Sequence, residues 1–427
     1  MAISKAKIDK AGLALTKSED EIENIDEYLE LEQVFDDYRK SHLQPLTETT
    51  LELQKWLSNY GTSYYIAQRL KRKPQIIRKL KRLSVRLTQL QDIGGSRIIV
   101  ESNKDVNKLR SFILDKLGKQ KDIELVRETD YREKGRDDTG YRALHLILNL
   151  SGQKLELQIR SQIQHYWAES IERASVVYGY HLKEKEGDPI VIQYFKALSD
   201  IFSEIESKRE PTQIQKIEMD RLSNAAERII MSSDSNKVLN SYVNEDIIKT
   251  LTAIESHKGI GFNNWIIIFN WNIGSFVSWD IVSRDPDTAI KAYVETEKRF
   301  PAHDGYEVVL IGSSDVKTVR QTHSHYFGID SYENILDTLN QSVIGFARRL
   351  DIDADARQIL LALRKRNYWG NKSTSLATLK NHYCQNVLAF DASLELLIEK
   401  GLVIMTTKQG PVYLDMKQKA QIEQYLG

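Results

Sequence analysis

At 427 residues the chain is too long for one ordinary domain, and two or three are expected. Lysine plus arginine and aspartate plus glutamate number 60 each, so net charge favours no class of partner and local clusters have to be read instead. The single cysteine, Cys384, excludes a disulfide framework and any zinc site built from several cysteines, which fits a reducing compartment. The N-terminal stretch MAISKAKIDKAGLALTKSEDE lacks the apolar core of a signal peptide, and no apolar run nears the roughly 18 residues of a membrane span. The expectation is a cytoplasmic protein without membrane contact.

Residues 1–24 read as disordered or loosely helical. From residue 25 on, Leu29, Leu31, Val34, Phe35 and Tyr38 recur at helical spacing and predict helices packed on a following domain. The segment 69–82, RLKRKPQIIRKLKR, holds eight basic residues in fourteen and no acid. Pro74 suits the first turn of a helix. Ile76, Ile77, Leu80 and Leu83 give that helix a buried stripe and leave Gln75, Lys79 and Arg82 on another face. Two readings stand side by side: a solvated basic helix, or a cradle in which lysines and arginines neutralise a polyphosphate. DIGGSRIIV, residues 92–100, places Asp92 just before a strand, with glycines that let the backbone pass close to a ligand. Residues 103–129 read as a helix, a loop and a strand. The polar run DYREKGRDDT, 130–139, predicts a mobile loop over a site.

GYRALHLILNLSGQKLELQIRSQIQHYWAE, residues 140–169, reads as a β-hairpin running into a helix. Ser151-Gly152 makes a two-residue turn. Leu144 then pairs with Ile159, Leu146 with Leu157 and Leu148 with Leu155 on one apolar face, and a one-residue slip would break every pair. The other face carries Tyr141 and His145 with Glu156, Gln158 and Arg160, His145 lying opposite Gln158. The bland reading is the solvated face of an antiparallel sheet. The residue types argue otherwise, since such faces favour lysine, threonine and serine. Asp92 alone reads as a turn residue. Paired with Glu156 it becomes a candidate magnesium site, because nucleotide-bound Mg2+ takes one or two carboxylates plus phosphate oxygens.

GYRALH, ELQIRS and QHYWAE, in this order, resemble the RelA/SpoT nucleotidyltransferase family, which includes the small alarmone synthetases. The likeness spans residues 25–210. It implies pyrophosphoryl transfer. ATP would sit on Arg69, Lys71 and Lys79, which match the family's basic motif, with Arg97 nearby; Gln75 stands where the family usually has serine. Mg2+ would be held by Asp92 and Glu156, the catalytic pair, with Glu156 also accepting the hydroxyl proton. The acceptor would stack on Tyr141 and contact His145, Gln158 and Arg160. Its ribose 3′-hydroxyl would attack the β-phosphorus of ATP, and AMP would leave. Lys134 and Arg136 are the loop's basic candidates, and His165, Trp167 and Glu169 would brace the site. The expected partners are ATP and a guanine nucleotide, GDP or GTP, giving (p)ppGpp. Two alternatives stay open: the 3′ CCA end of tRNA as acceptor, as in a toxin-like branch of the family, or a nucleotide-sensing regulator whose winged helix binds DNA. A homo-oligomer is compatible with each.

Residues 192–232 are helical and charged, broken at Pro211, and read as a domain end and linker. Trp265–Phe269, Ser275–Ile281 and Glu307–Ile311 predict three strands. A helix at Pro286–Phe300 is capped by Asp285, and another lies around Tyr332–Arg349. His323-x-His325 has metal-like spacing without a carboxylate or cysteine cluster, and His303-Asp304 lacks the upstream histidines of a hydrolase site. Residues 352–427 resemble a winged helix: helices at Ala354–Arg366, Ser375–Tyr383 and Asp391–Lys400, Gly401 as C-cap, a hairpin of Leu402–Thr406 and Val412–Leu414 with Lys408-Gln409-Gly410 at its tip, and a last helix. The third helix, DASLELLIEK, is acidic, which argues against DNA. The expected fold class is α+β. A mixed-sheet nucleotidyltransferase-like domain flanked by helices (25–210) is followed by a helical linker (211–238), a small α/β domain (239–350) and a winged-helix-like domain (351–427).

Overall fold

The structure is a computed structural model that describes residues 3–61, 64–136, 139–207, 209, 211–233, 262–272, 275–313, 318–319, 322–323, 354–384, 387, 390–407 and 410–426. The expected helix around Tyr332–Arg349, His325 and most of the hairpin tip lie outside these residues. The chain forms two compact units, one from residues 1–199 and 224–331 and one from 200–223 and 332–427. Among the described residues no helix is long and apolar enough to cross a membrane.

The first unit begins with α1 (Lys5–Ala14), capped by the Ser4 side chain, which accepts from the Lys7 N–H. The expectation of a loose N-terminus is corrected here. Ile8, Ala11 and Leu15 bury one stripe of this helix, and Gly12 lets it lie so close to Leu87 that a Cβ would come within 2.7 Å of the leucine Cβ. Next come α2 (Ile25–Lys40), capped by Asn24, α3 (Leu43–Leu57), β1 (Tyr64–Leu70) and α4 (Lys73–Leu83), with Pro74 in its first turn. Then follow β2 (Gly94–Val100), α5 (Asn103–Leu117), β3 (Ile123–Asp130), β4 (Leu144–Leu150), β5 (Gln153–Ser161), α6 (Gln162–Tyr178) and α7 (Pro189–Glu206). The expected linker contains a helix, α8 (Gln213–Met231).

The hairpin takes the register the hydrophobic pattern demands: Leu144 faces Ile159, Leu146 faces Leu157, Leu148 faces Leu155 and His145 faces Gln158. Ser151 and Gly152 both have positive φ, 53° and 84°, as a two-residue turn with right-handed strand twist requires. The six apolar side chains are buried with Leu46, Leu53, Val106, Leu109 and Ile113 of α3 and α5. A one-residue slip would turn all six away from this core, at roughly 1.5–3 kcal/mol each.

The strands β6 (Asn263–Asn270), β7 (Ser275–Val282) and β8 (Tyr306–Ser313), with α9 (Pro286–Arg299) between the last two, correct the expected domain division. They do not form a separate small α/β domain. They complete one eight-stranded sheet of order β3-β4-β5-β2-β1-β8-β6-β7, in which β2 and β5 alone run parallel. The join is antiparallel, Gln68 to Gly312 and Arg69 to Ile311. A Cβ at residue 312 would lie 2.6 Å from Gln68 Cγ, so glycine permits the approach. A second core is shared across the join: Phe35, Leu43, Leu70, Ile76, Leu80 and Ile93 pack with Ile266, Ile268, Ile290, Tyr293, Val308 and Leu310. Arg39 of α2 forms a bidentate pair with Glu297 of α9, and Arg72 pairs with Glu307 of β8.

The second unit holds α10 (Ala354–Lys365), a helical segment through Leu376–Thr378 and Leu379–Tyr383, α11 (Phe390–Glu399) and α12 (Lys419–Leu426). Gly401 follows α11 at φ 68°. Strands β9 (Thr374–Ser375), β10 (Val403–Met405) and β11 (Pro411–Leu414) form a small sheet of order β10-β11-β9.

Candidate active site

The polar face of the hairpin is not a solvated sheet face. His145 and Arg160 are 5% and 2% exposed, because α6 and the loop after β3 lie beside them. The register places these residues in rows. Ala67, Arg97, Gln158 and His145 lie abreast on β1, β2, β5 and β4, and Arg69, Gly95 and Glu156 form the next row. Gly95 leaves the row open between Arg69 and Glu156: a Cβ there would come within 3.4 Å of the Glu156 carbonyl oxygen.

A continuous network joins Glu156 to the residues expected to contact the acceptor. Glu156 Oε1 lies 2.8 Å from His145 Nδ1, and Glu156 Oε2 accepts from Gln158 Nε2 at 2.7 Å. His145 Nε2 lies 2.7 Å from the Tyr141 hydroxyl. Arg160 donates to that hydroxyl at 2.7 Å and to Gln158 Oε1 at 2.8 Å, with its guanidinium 4.9 Å from the Tyr141 ring centre. Burial alone would lower His145, but Tyr141 and Glu156 outweigh it and raise the imidazole to about 9. Burial would raise Tyr141, yet Arg160 and His145 bring its hydroxyl down to about 8. Burial would likewise raise Glu156; His145 and Gln158 hold it below the usual carboxylate range.

Of the four residues expected to hold ATP, Lys71 and Lys79 converge on Asp92, in the turn before β2. Lys71 Nζ, from the turn after β1, and Lys79 Nζ, from α4, both bond Asp92 Oδ2, at 2.8 and 2.6 Å. Burial would raise this carboxyl, and the two ammonium groups override it and hold it well below the usual range. The Asp92 charge is also felt at Glu156. Arg97 donates to the Thr322 carbonyl oxygen at 2.7 Å and lies 3.5 Å from Glu169. Burial, then the guanidiniums of Arg160 and, less, Arg69, pull Arg97 down to about 10. Three guanidiniums crowded on one face make a place for an anion.

A sequence profile described as a region found in RelA / SpoT proteins matches residues 68–183. This chain carries a RelA/SpoT region. With it come the α+β fold with a mixed sheet and the reaction class expected of the sequence, a pyrophosphotransferase. Every catalytic, ATP-side and acceptor-side residue named from the sequence falls inside the RelA/SpoT region, from Arg69 to Arg160. Among solved structures, the chain is similar to the small alarmone synthetase 1 of Bacillus subtilis bound to its product pppGpp: 21% identity over 39% of this chain and 89% of that one, TM-score 0.32. It is also similar to the small alarmone synthetase 2 of Bacillus subtilis, at 22% identity over 40% of this chain and 92% of that one, TM-score 0.32. A GTP pyrophosphokinase family protein from Streptococcus pneumoniae shares 19% identity over 46% of this chain and 97% of that one, TM-score 0.33. A search of curated proteins found no match.

Two neighbours of these residues, Tyr131 and Arg142, were not read from the sequence. Tyr131 sets its ring edge-on to His145 at 5.1 Å. Arg142, within GYRALH, donates to the carbonyls of Arg132 and Glu133, just after β3. Arg136 lies over the Tyr131 ring, 5.7 Å from its centre, and Lys134 is exposed. Trp167 donates to the Phe195 carbonyl at 2.7 Å and packs edge-on to Tyr141. His303 lies in an exposed turn, its Nε2 3.6 Å from the Asp304 carboxylate.

Proposed function

We propose that the chain transfers the β,γ-diphosphate of ATP to the ribose 3′-hydroxyl of GDP or GTP. The 3′-oxygen bonds to the β-phosphorus, the bond from that phosphorus to the α-phosphate oxygen breaks, and AMP leaves. The observation that carries this reading is the juxtaposition, inside one RelA/SpoT region, of the Lys71–Asp92–Lys79 cluster and the Glu156–His145–Tyr141–Arg160 network.

The residues fit Mg2+. Asp92 and Glu156 supply hard oxygen donors, and Asp92 Oδ1 is buried without a hydrogen-bond partner. When bound, the ion would neutralise phosphate oxygens. Lys71, Lys79 and Arg69 bind the polyphosphate. Arg160 and Gln158 orient the acceptor against Tyr141. Glu156, ionised and fixed by His145 and Gln158, accepts the proton of the 3′-hydroxyl. Positioning and charge neutralisation supply most of the rate.

The test is label transfer from ATP labelled on its β- and γ-phosphates, with Mg2+ and GDP, GTP or tRNA as acceptor. Label should reach the guanine nucleotide. Asp92→Asn and Glu156→Gln should each lower the rate by about a hundredfold or more while the protein stays folded. Undiminished AMP production by either pure variant would sink the assignment, and label on tRNA alone would change the acceptor.

A further inference from the structure

Lysine, not arginine, stands at positions 71 and 79 of a segment that uses arginine at 69, 72, 78 and 82. The two ammonium groups come from different elements and close on a single oxygen, Asp92 Oδ2. The other oxygen, Oδ1, is buried and has no hydrogen-bond partner. All three side chains are mostly buried, at 20%, 18% and 15% exposure for Lys71, Lys79 and Asp92. Two like charges share one oxygen only because the carboxylate holds them there. A divalent cation arriving by itself would meet both at the group it needs. A polyphosphate offers each lysine another anionic acceptor, and an ammonium on a flexible four-carbon stem can swing between acceptors where a guanidinium fork is held by its geometry.

We propose that Lys71 and Lys79 lock Asp92, so that the site refuses a bare divalent cation and takes it only with the polyphosphate that draws the lysines away. The lock rests on the assignment of this face to ATP and Mg2+. Both lysines are then positioning residues for Asp92 as well as phosphate ligands, and metal and nucleotide bind as one coupled event.

Mn2+, visible by electron paramagnetic resonance, can stand for Mg2+. The full-length protein is titrated with Mn2+ alone and with α,β-methylene-ATP, whose α–β bridge does not break. Asp92→Asn marks the bound Mn2+ that depends on Asp92. In the parent protein that Mn2+ should bind about tenfold or more tightly when the analogue is present. In Lys79→Met, Asp92-dependent binding of bare Mn2+ should tighten by about tenfold, while the analogue binds more weakly. Lys79→Gln serves if the methionine variant loses its circular-dichroism spectrum. Equal Mn2+ affinity with and without the analogue would overturn the lock and leave the ATP assignment standing. So would folded Lys79 variants that bind bare Mn2+ no more tightly than the parent. Failure of the folded parent to bind the analogue at all would remove both.

Discussion

Residues 1–210 alone should fail to fold, although they contain the whole RelA/SpoT region. Truncation there removes β6 to β8 and α9. It opens the edge of β1 at Gln68 and Arg69 and strips one wall from a core that includes Phe35, Leu43, Leu70, Ile76, Leu80 and Ile93. Full burial of such a side chain stabilises by roughly 1.5–3 kcal/mol, so losing half the burial of six costs about 5–9 kcal/mol. Native domains have about 5–15 kcal/mol in all. The truncation would also take Glu297 from Arg39 and Glu307 from Arg72. Urea titrations followed by circular dichroism, on the fragment and the full chain, measure the effect. The expected fragment is aggregated or lacks a cooperative transition, and it makes no AMP. A monomeric fragment that unfolds cooperatively at a urea midpoint as high as that of the full chain would refute the claim that the two halves share one core.

Other expectations concern the site and its surroundings. Gly95→Leu should keep the fold but place a side chain between Arg69 and Glu156, lowering label transfer by about a hundredfold; near-normal turnover by the folded variant would refute the open row. Arg160→Lys should raise the acceptor KM by about tenfold or more and leave the ATP KM within about twofold, because an ammonium lacks the flat guanidinium that lies 4.9 Å from the Tyr141 ring centre while its Nη2 donates to the Tyr141 hydroxyl and to Gln158. Equal effects on both substrates would remove Arg160 from the acceptor side. His42 is buried, its Nδ1 2.9 Å from the Tyr38 carbonyl oxygen. Burial outweighs that bond and pulls the imidazole down to about 4. The unfolded chain therefore takes up a proton below pH 6.5 that the folded chain refuses, and stability falls as the pH drops from 6.5 towards 4. The His42 share should be about 2 kcal/mol between pH 7 and 5, and His42→Phe should lose that part of the slope; an unchanged slope would count against it.

Much of the site was legible because it is local. Period-two alternation set the hairpin register, and that register put His145 opposite Gln158 and ranged Glu156 and Arg160 with them. The turn at Ser151-Gly152, with its two positive φ angles, likewise acts within a few residues of itself. The sequence also showed which side chains are chemically suited to phosphate and metal.

Tertiary structure decided what depends on distant partners. No local pattern says that β1 meets a strand some 240 residues later, since an apolar strand suits any open edge. The strands expected to form a separate α/β domain are therefore three of the eight strands of a larger sheet. The buried state of the polar hairpin face, the bonds from Arg142 to the carbonyls of Arg132 and Glu133 and the hold of Thr322 and Glu169 on Arg97 arise from packing across elements. So does the meeting of Lys71 and Lys79 on one oxygen of Asp92. A sequence fixes which groups can pair; only the fold fixes which pairs exclude water, and burial determines the strength of each charge.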